Sequence, residues 1–540
     1  MANYSLRLTI TLILFLVAAC KGKKEEQAPS PAVTIVPLPV SVNVTHGHYT
    51  LPDTVTISAI NPDEISSAVF LVDFFTTQKV PAKIVSDSTG SVSLRSFVSK
   101  EVLPEGYYRL VINADGVDIF STSASGLFYG IQSLIQLVQE NPTGLQVPLL
   151  SITDFPRFNW RGLHLDVCRH FFPVDFIKRY IDLMAQYKFN TFHWHLTEDQ
   201  GWRIEIKKYP KLAAVAAYRD ETLIGHYSDV PHTFDGQRYG GYYTQEEIKE
   251  VVAYAQQRHI TIVPEIEMPG HALAALSAYP ELGCTGGPYK AATLWGVFDD
   301  VFCAGKESTF TFFENVLDEV LALFPGEYIH VGGDECPKVR WQACPLCQER
   351  MKAEALADEH ELQSYFIQRI EKYLNARGRK LIGWDEILEG GLAPHAAVMS
   401  WRGEDGGIAA AQAGHNVVMT PGFALYFDHY QGEPANEPVA IGGNTPLKKV
   451  YHYEPIPAQL SQDEHTNVLG AQANVWTEYI KTTDHVEYMV YPRALALAEV
   501  VWSPQEKRDW DSFVQRLPQQ FMLLDRHKVN YRKPSADDLK

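Results

Sequence analysis

The chain has 540 residues, 46% of them hydrophobic, and a formal net charge of −18. That length exceeds one ordinary domain and suits a barrel of about 250 residues or more with a smaller companion. The acidic balance argues against nucleic acid and anionic surfaces as partners of the folded body, and it identifies no substrate.

The first element in chain order is a targeting segment rather than fold. Arg7 supplies positive charge, and Leu8 to Val17 form an apolar stretch too short to span a bilayer comfortably. Val17-Ala18-Ala19-Cys20 resembles the bacterial lipoprotein cleavage box, which makes residues 1–19 a signal peptide and Cys20 the lipidation site. Residues 20–32 are charged and then Pro-rich, with almost nothing to bury, and read as a flexible tether to the membrane.

Residues 33–152 hold short alternating strands, such as Thr54 to Ile57 and Tyr107 to Ile112, then a helical patch at Gly126 to Gln139. They read as a small α+β domain. From residue 153 to about 505 the pattern becomes strand, helix, strand, helix. Eight strands are expected: Gly162–Val167, Asn190–Leu196, Ile260–Ile266, Tyr328–Gly333, Lys380–Asp385, Ala396–Trp401, Asn416–Thr420 and Val468–Val475. Between them, Ile177, Tyr180, Ile181 and Met184 repeat at helical spacing, as do Ile248, Val251, Val252 and Ala255. Thr244 and Glu247 form a capping box. Eight such units predict an α/β fold, a (β/α)₈ TIM barrel preceded by the small α+β domain, with residues 506–540 as a helical extension. The loops Arg219 to Tyr243 and Gly283 to Lys306 are long and aperiodic, as pocket-shaping loops of a barrel are.

The most informative stretch is His330-Val331-Gly332-Gly333-Asp334-Glu335. A buried strand ends, two glycines release the backbone, and two carboxylates follow with side chains directed differently. Two acids in different environments are what acid/base chemistry uses to split one residue type into two roles. The other chemistry-bearing motifs are His195 to Arg203, Pro264 to His271, Gly383 to Glu386, Ser400 to Gly403 and Trp476 to Glu478. Nearly all fall at the C-terminal ends of the expected strands, where barrel chemistry sits.

These motifs, in this order, resemble family 20 glycoside hydrolases, the β-N-acetylhexosaminidases, from about Val33 to about Trp502. The resemblance implies exo-acting removal of terminal β-linked GlcNAc or GalNAc from glycans, with retention of configuration. The nucleophile is then the substrate's own 2-acetamido oxygen, an exception to the two-carboxylate scheme of most retaining enzymes. It implies Glu335 as general acid and then base, and Asp334 as acceptor of the amide N–H and stabiliser of the oxazolinium. Tyr426 hydrogen-bonds the acetamido carbonyl, and Asp199 with His271 forms a relay toward Glu335. For sugar binding it implies Arg161, Asp428 and Glu478 on hydroxyls, an aromatic cage of Trp384, Trp401 and Trp476, and His170 as a further pocket residue. The Lys24-Glu25-Glu26 cluster resembles the surface-export signal of some Bacteroidetes lipoproteins and favours the cell-surface face of the outer membrane over the periplasmic face.

No cofactor and no metal is expected. His193 and His195 face the same way on a strand, but the later strand ends carry tryptophans and glutamates rather than the partners of a metal-dependent amidohydrolase. In an exported chain disulfides can form, and Cys284–Cys303 is the preferred pair. A zinc site at Cys336, Cys344 and Cys347 lacks a fourth ligand, which leaves a disulfide among those three. Cys168 reads as a free buried thiol. The rival readings are a non-catalytic glycan-binding lipoprotein, against which stand Asp334, Glu335 and Tyr426, and a relative that releases disaccharides.

Overall fold

The computed structural model describes residues 33–142 and 144–540. The signal peptide, the tether and Cys20 lie outside the described residues. The N-terminal domain is one mixed sheet with two helices. Its strands are β1 (Ser41–Thr50), β2 (Val55–Ser58), β3 (Ala82–Val85), β4 (Val92–Ser96), β5 (Tyr108–Ile112), β6 (Val117–Ser121), β7 (Gln139–Asn141) and β8 (Gly144–Asp154). They run in the order β1-β8-β5-β6-β4-β2-β3, with β7 pairing β8. Helices α1 (Pro62–Thr77) and α2 (Ala124–Leu137) pack on each other and on the strands. A reciprocal capping box starts α1, in which Asn61 accepts from Glu64 N and the Glu64 carboxylate accepts from Asn61 N.

Eight parallel strands then close a barrel: β9 (Trp160–Asp166), β10 (Thr191–His195), β11 (Thr261–Glu265), β12 (Tyr328–His330), β13 (Lys380–Trp384), β14 (Ala397–Ser400), β15 (Val417–Met419) and β16 (Val468–Ala473). Closure is made by β16 on β9, with Gly470 opposite Trp160. Every expected strand is present within two residues at each end, except that the ladder of β12 stops three residues early at the glycines that follow it. The helical repeats also hold: α3 (Val174–Gln186) buries Ile177, Tyr180, Ile181 and Met184, and α4 (Gln245–Gln256) buries Ile248, Val251, Val252 and Ala255. Thr244 and Glu247 form the α4 capping box. Apolar side chains therefore line the seam between strands and helices. Inside the barrel, Trp160, Val263, Ile382, Trp384, Ala397, Met399 and Val418 form a separate small core.

The two domains are joined by buried polar contacts beneath the barrel. Lys188 Nζ lies 3.0 Å from Asp154 Oδ2 and 3.0 Å from the Tyr108 hydroxyl, and Trp502 Nε1 donates to Asp154 Oδ1 at 2.9 Å. The C-terminal helix α5 (Trp510–Arg526) adds Arg516, which pairs with Glu499 and donates to Ile35 O. A buried charge left without its partner costs several kcal/mol, so the elements of this junction depend on one another.

The cysteine expectations need correction. All six described cysteines are free. Cys284 and Cys303 come from one loop but converge with Cys344 and Cys347, and all four sulfurs lie within 4.8 Å of one another. Cys336 is not part of this group. The grouping pairs two loops that are distant in sequence, which spacing alone does not disclose.

Candidate active site

The C-terminal ends of the barrel strands converge on one cavity. Arg169, Asp334, Glu335, Trp384, Trp401, Tyr426, Asp428, His429, Ile441, Trp476 and Glu478 line it. They end or follow six of the eight strands, so the closed sheet brings together residues that span three hundred positions of chain.

The two acids stand on a backbone that only glycine permits. Gly332 has φ +66°, and a Cβ there would lie 1.7 Å from Glu267 Oε2. Gly333 has φ +91°, and its carbonyl accepts from Gln363 Nε2 at 2.7 Å. Glu335 itself holds φ +44° and His271 holds φ +49°. Such conformations cost about 1–3 kcal/mol each in non-glycine residues and cluster where a scaffold overdetermines them. Asp334 is buried, and its Oδ1 has no hydrogen-bond partner. Glu335 opens toward the cavity mouth with its side chain 40% exposed. Burial and the neighbouring Asp334 raise the Glu335 pKa above the usual carboxyl range.

His271 connects this pair to a second acidic pair. Its Nε2 lies 3.5 Å from Asp334 Oδ2 and 3.7 Å from Glu335 Oε2. Its Nδ1 lies 3.1 Å from Asp199 Oδ2 and 2.7 Å from Glu198 Oε1. Asp199 is fixed in turn by the Leu273 N–H, 2.9 Å from its Oδ1. Burial disfavours the imidazolium, but Glu198 and Asp334 outweigh it and hold the His271 pKa well above its usual value. Burial and repulsion from Glu198 push Asp199 up to about 6. Glu198 stays ionised, because Arg169 and His271 offset its burial. Sequence reasoning chose Asp199 and passed over Glu198, although both acids stand side by side at the end of β10.

The aromatic residues have polar anchors. Trp384 Nε1 donates to Glu265 Oε1 at 2.8 Å, and Trp401 Nε1 donates to Glu386 Oε2 at 2.9 Å. The rings of Trp401 and Tyr426 stack at 6.1 Å with planes 21° apart, and Trp384 and Trp476 meet at 5.7 Å. A bridge between Tyr426 and Asn474 holds the tyrosine against β16. These indoles give an apolar wall, and fixed polar groups lie beside it. Burial, then repulsion from Glu478, raises Asp428 well above the carboxylate range, and burial also raises Glu478. Asp428 Oδ1, Arg169 Nε and Arg169 Nη1 are buried without hydrogen-bond partners, a set of polar groups that a polyhydroxylated ligand would satisfy.

Arg161 is not at this cavity, a correction to the sequence expectation. It sits at the N-terminal end of β9, where its guanidinium donates to Lys188 O, Phe158 O and the Tyr129 hydroxyl at 2.8 Å each. It also lies 5.0 Å from the Trp502 ring. The strand carries it to the opposite end of the barrel, into the domain junction. The arginine in the cavity is Arg169, 3.0 Å from Glu198, 3.9 Å from Glu478 and 5.0 Å over Trp476. It follows the C-terminal end of β9, and the rule that barrel chemistry follows strand ends would have selected it. His170 likewise does not line the cavity. Its Nδ1 bonds Thr477 O at 2.5 Å, and its ring meets Trp295 at 5.7 Å, so it stands behind the Glu478 segment. His193 and His195 face Glu265, at 3.0 Å and 2.5 Å, and His330 joins the same carboxylate at 2.9 Å.

A closed parallel barrel whose strand ends gather paired carboxylates, indole walls and unsatisfied polar groups is the architecture of a glycoside hydrolase. The catalytic-domain model of glycosyl hydrolase family 20 matches residues 158–505, and the model of that family's domain 2 matches residues 32–155. The chain belongs to glycosyl hydrolase family 20. It is 55% identical over 440 residues to a beta-hexosaminidase of Porphyromonas gingivalis, a match covering 80% of this chain and 55% of that protein. A beta-hexosaminidase of Vibrio furnissii is 40% identical across 73% of this chain and 65% of its own length. The chain thus spans less than two thirds of each of these relatives. Among solved structures, the GH20 exo beta-N-acetylglucosaminidase of Vibrio harveyi superposes with a TM-score of 0.83 at 34% identity, covering 94% of this chain and 79% of that one. The beta-N-acetylhexosaminidase of Bacteroides fragilis gives 0.80 at 32% identity, covering 93% and 98%.

Proposed function

We propose that the protein is an exo-acting β-N-acetylhexosaminidase that removes terminal β-linked GlcNAc or GalNAc from glycan ends by substrate-assisted catalysis. The observation that carries this reading is the Asp334-Glu335 pair in one cavity with Tyr426. A protonated Glu335, its pKa raised by burial, gives its proton to the leaving oxygen. The acetamido oxygen attacks the anomeric carbon, so the protein supplies no nucleophile. Asp334, with one buried oxygen unpaired, accepts the amide N–H and stabilises positive charge on the oxazolinium. Tyr426 donates to the acetamido carbonyl, and the indole wall receives the methyl group. Glu335, now ionised, takes a proton from water as the ring opens with retention. Asp428, Glu478 and Arg169 take the sugar hydroxyls.

Paired assays test this. An aryl β-N-acetylglucosaminide is cleaved and the matching glucoside is not, and thiazoline analogues of the cyclised intermediate inhibit strongly. Equal rates on the two glycosides would overturn the mechanism.

We also propose that the enzyme is an outer-membrane lipoprotein anchored through acylated Cys20. The support is Val17-Ala18-Ala19-Cys20 and the polar segment that follows it. A multiply acylated cysteine anchors stably where a single chain would be marginal. Cys20→Ala then yields soluble active enzyme. Protease shaving of intact cells removes the activity if it faces outward, and protection alongside a periplasmic control places it inside.

A further inference from the structure

Cys284, Cys303, Cys344 and Cys347 lie outside the cavity and take no part in the chemistry above. They come from two stretches. Cys284 and Cys303 end the long loop after β11, where Gly283 and Phe302 form an antiparallel bridge and Cys303 N donates to Leu282 O at 2.8 Å. Cys344 and Cys347 belong to Cys344-Pro345-Leu346-Cys347, at the start of the helix Pro345–Ala353. Cys344 is that helix's N-cap residue, and its carbonyl accepts from Gln348 N at 3.0 Å. Cys303, Cys344 and Cys347 are buried, and Cys284 is partly so.

We infer that these four residues form a zinc(II) tetrathiolate site that staples the two loops together. All four sulfurs lie within 4.8 Å of one another, and three of their separations match the edge of a zinc–sulfur tetrahedron. Cys303 lies 3.7 Å from Cys344 and 3.6 Å from Cys347, and Cys284 lies 3.9 Å from Cys347. Zinc–sulfur bonds of about 2.3 Å at tetrahedral angles put sulfurs about 3.8 Å apart. Cys303 is equally close to two partners, which is how a shared centre is arranged and not how a bonded pair is. The pair at Cys344 and Cys347 has the two-residue spacing of a zinc knuckle. Soft thiolates select zinc over the hard divalent cations.

The backbone around the cluster is built for close approach. A Cβ at Gly305 would lie 2.3 Å from Leu346 C and 2.5 Å from Cys347 N, so the two knuckles touch main chain to main chain only because residue 305 is glycine. Trp341 Nε1 donates to Phe302 O at 2.9 Å and locks the same pair of segments. Binding releases four thiol protons and leaves a centre of net charge −2. The start of a helix and Lys306, which donates to Glu281 O and Gly283 O at 2.7 Å each, suit that charge. One knuckle follows Glu335 within a dozen residues. The other closes the loop that carries Trp295, the residue packed on His170.

The test is metal analysis of the full protein purified under argon without chelator, with thiols counted after denaturation. One zinc per chain is expected, with no disulfide among the four. Cys303→Ser and Cys347→Ser should each lose the metal and melt several degrees lower, whereas Cys168→Ser should keep it. Cobalt(II) exchanged into the wild-type protein should show tetrahedral tetrathiolate absorption. Stripping zinc should lower the melting temperature, and zinc alone should restore it. Metal-free protein with two disulfides overturns the proposal. So does zinc that survives in both serine variants, or reduced metal-free protein whose melting zinc does not move.

Discussion

His271 Nε2 stands 3.7 Å from Glu335 Oε2, close enough for its charge to act on the carboxyl and too far for a hydrogen bond. The imidazolium is itself sustained by Glu198 and Asp334. Two opposed influences therefore meet at Glu335. Burial and Asp334 raise its pKa, and His271 lowers it.

The first prediction follows from that balance. Under the proposed mechanism, the alkaline limb of kcat/KM reports loss of the proton from Glu335 in the free enzyme. Replacing His271 with Gln removes a positive neighbour, so the Glu335 pKa rises further and the alkaline limb moves to higher pH while the maximum rate falls. A pH profile of kcat/KM for His271→Gln checks this. An unmoved or acid-shifted limb would show that the histidine does not act on Glu335 through its charge.

Glu335 and Asp334 separate by leaving group. Glu335→Gln removes the proton donor, so its loss is about 10²–10⁴-fold on glycans. On aryl substrates with acidic leaving groups, which need little protonation, the loss is smaller. Asp334→Asn acts on the attacking acetamide and depresses both substrate kinds alike. Rates across a series of substituted phenyl glycosides decide the matter, because a Glu335→Gln defect independent of leaving-group acidity would remove the acid assignment.

The two arginines separate by readout. Arg161→Met leaves three buried acceptors unpaired and destabilises by about 3 kcal/mol, with KM unchanged in the enzyme that remains folded. Arg169→Lys keeps the charge, loses the planar fork over Trp476 and raises KM. Thermal melting and steady-state kinetics on both variants check this, and the opposite pattern would return Arg161 to the sugar.

Gly332→Ala is expected to cost about 2 kcal/mol or more and to displace Asp334. The φ of +66° disfavours any Cβ, and Glu267 Oε2 occupies its place at 1.7 Å. Removing the clash with Glu267→Ala in the same chain relieves the steric part and leaves the backbone part. Denaturant melts of the single and double variants measure the two, and additive losses would mean that the residues do not meet.

The sequence by itself determined the barrel. Alternation of short apolar strands with helices of 3.6-residue period is local information, and Ile177 to Met184 or Thr244 with Glu247 carry it within a few residues. It also placed Asp334, Glu335, Trp384, Trp401 and Trp476 at strand ends, since each terminates an apolar run, and the structure gathers all five in one cavity. Tertiary structure alone decided which charged residues share a space. Arg161 and Arg169 are eight positions apart in similar settings, yet a β-strand seven residues long puts them at opposite ends of the barrel. Glu198 matters through His271, which arrives from another strand. The four cysteines span sixty-three positions between Cys284 and Cys347 and meet only because two loops pack main chain against main chain at Gly305. Periodicity records which face of an element is buried. It does not record which distant element covers that face, because that choice is made by barrel closure and loop packing, and both act through contacts with no trace in local spacing.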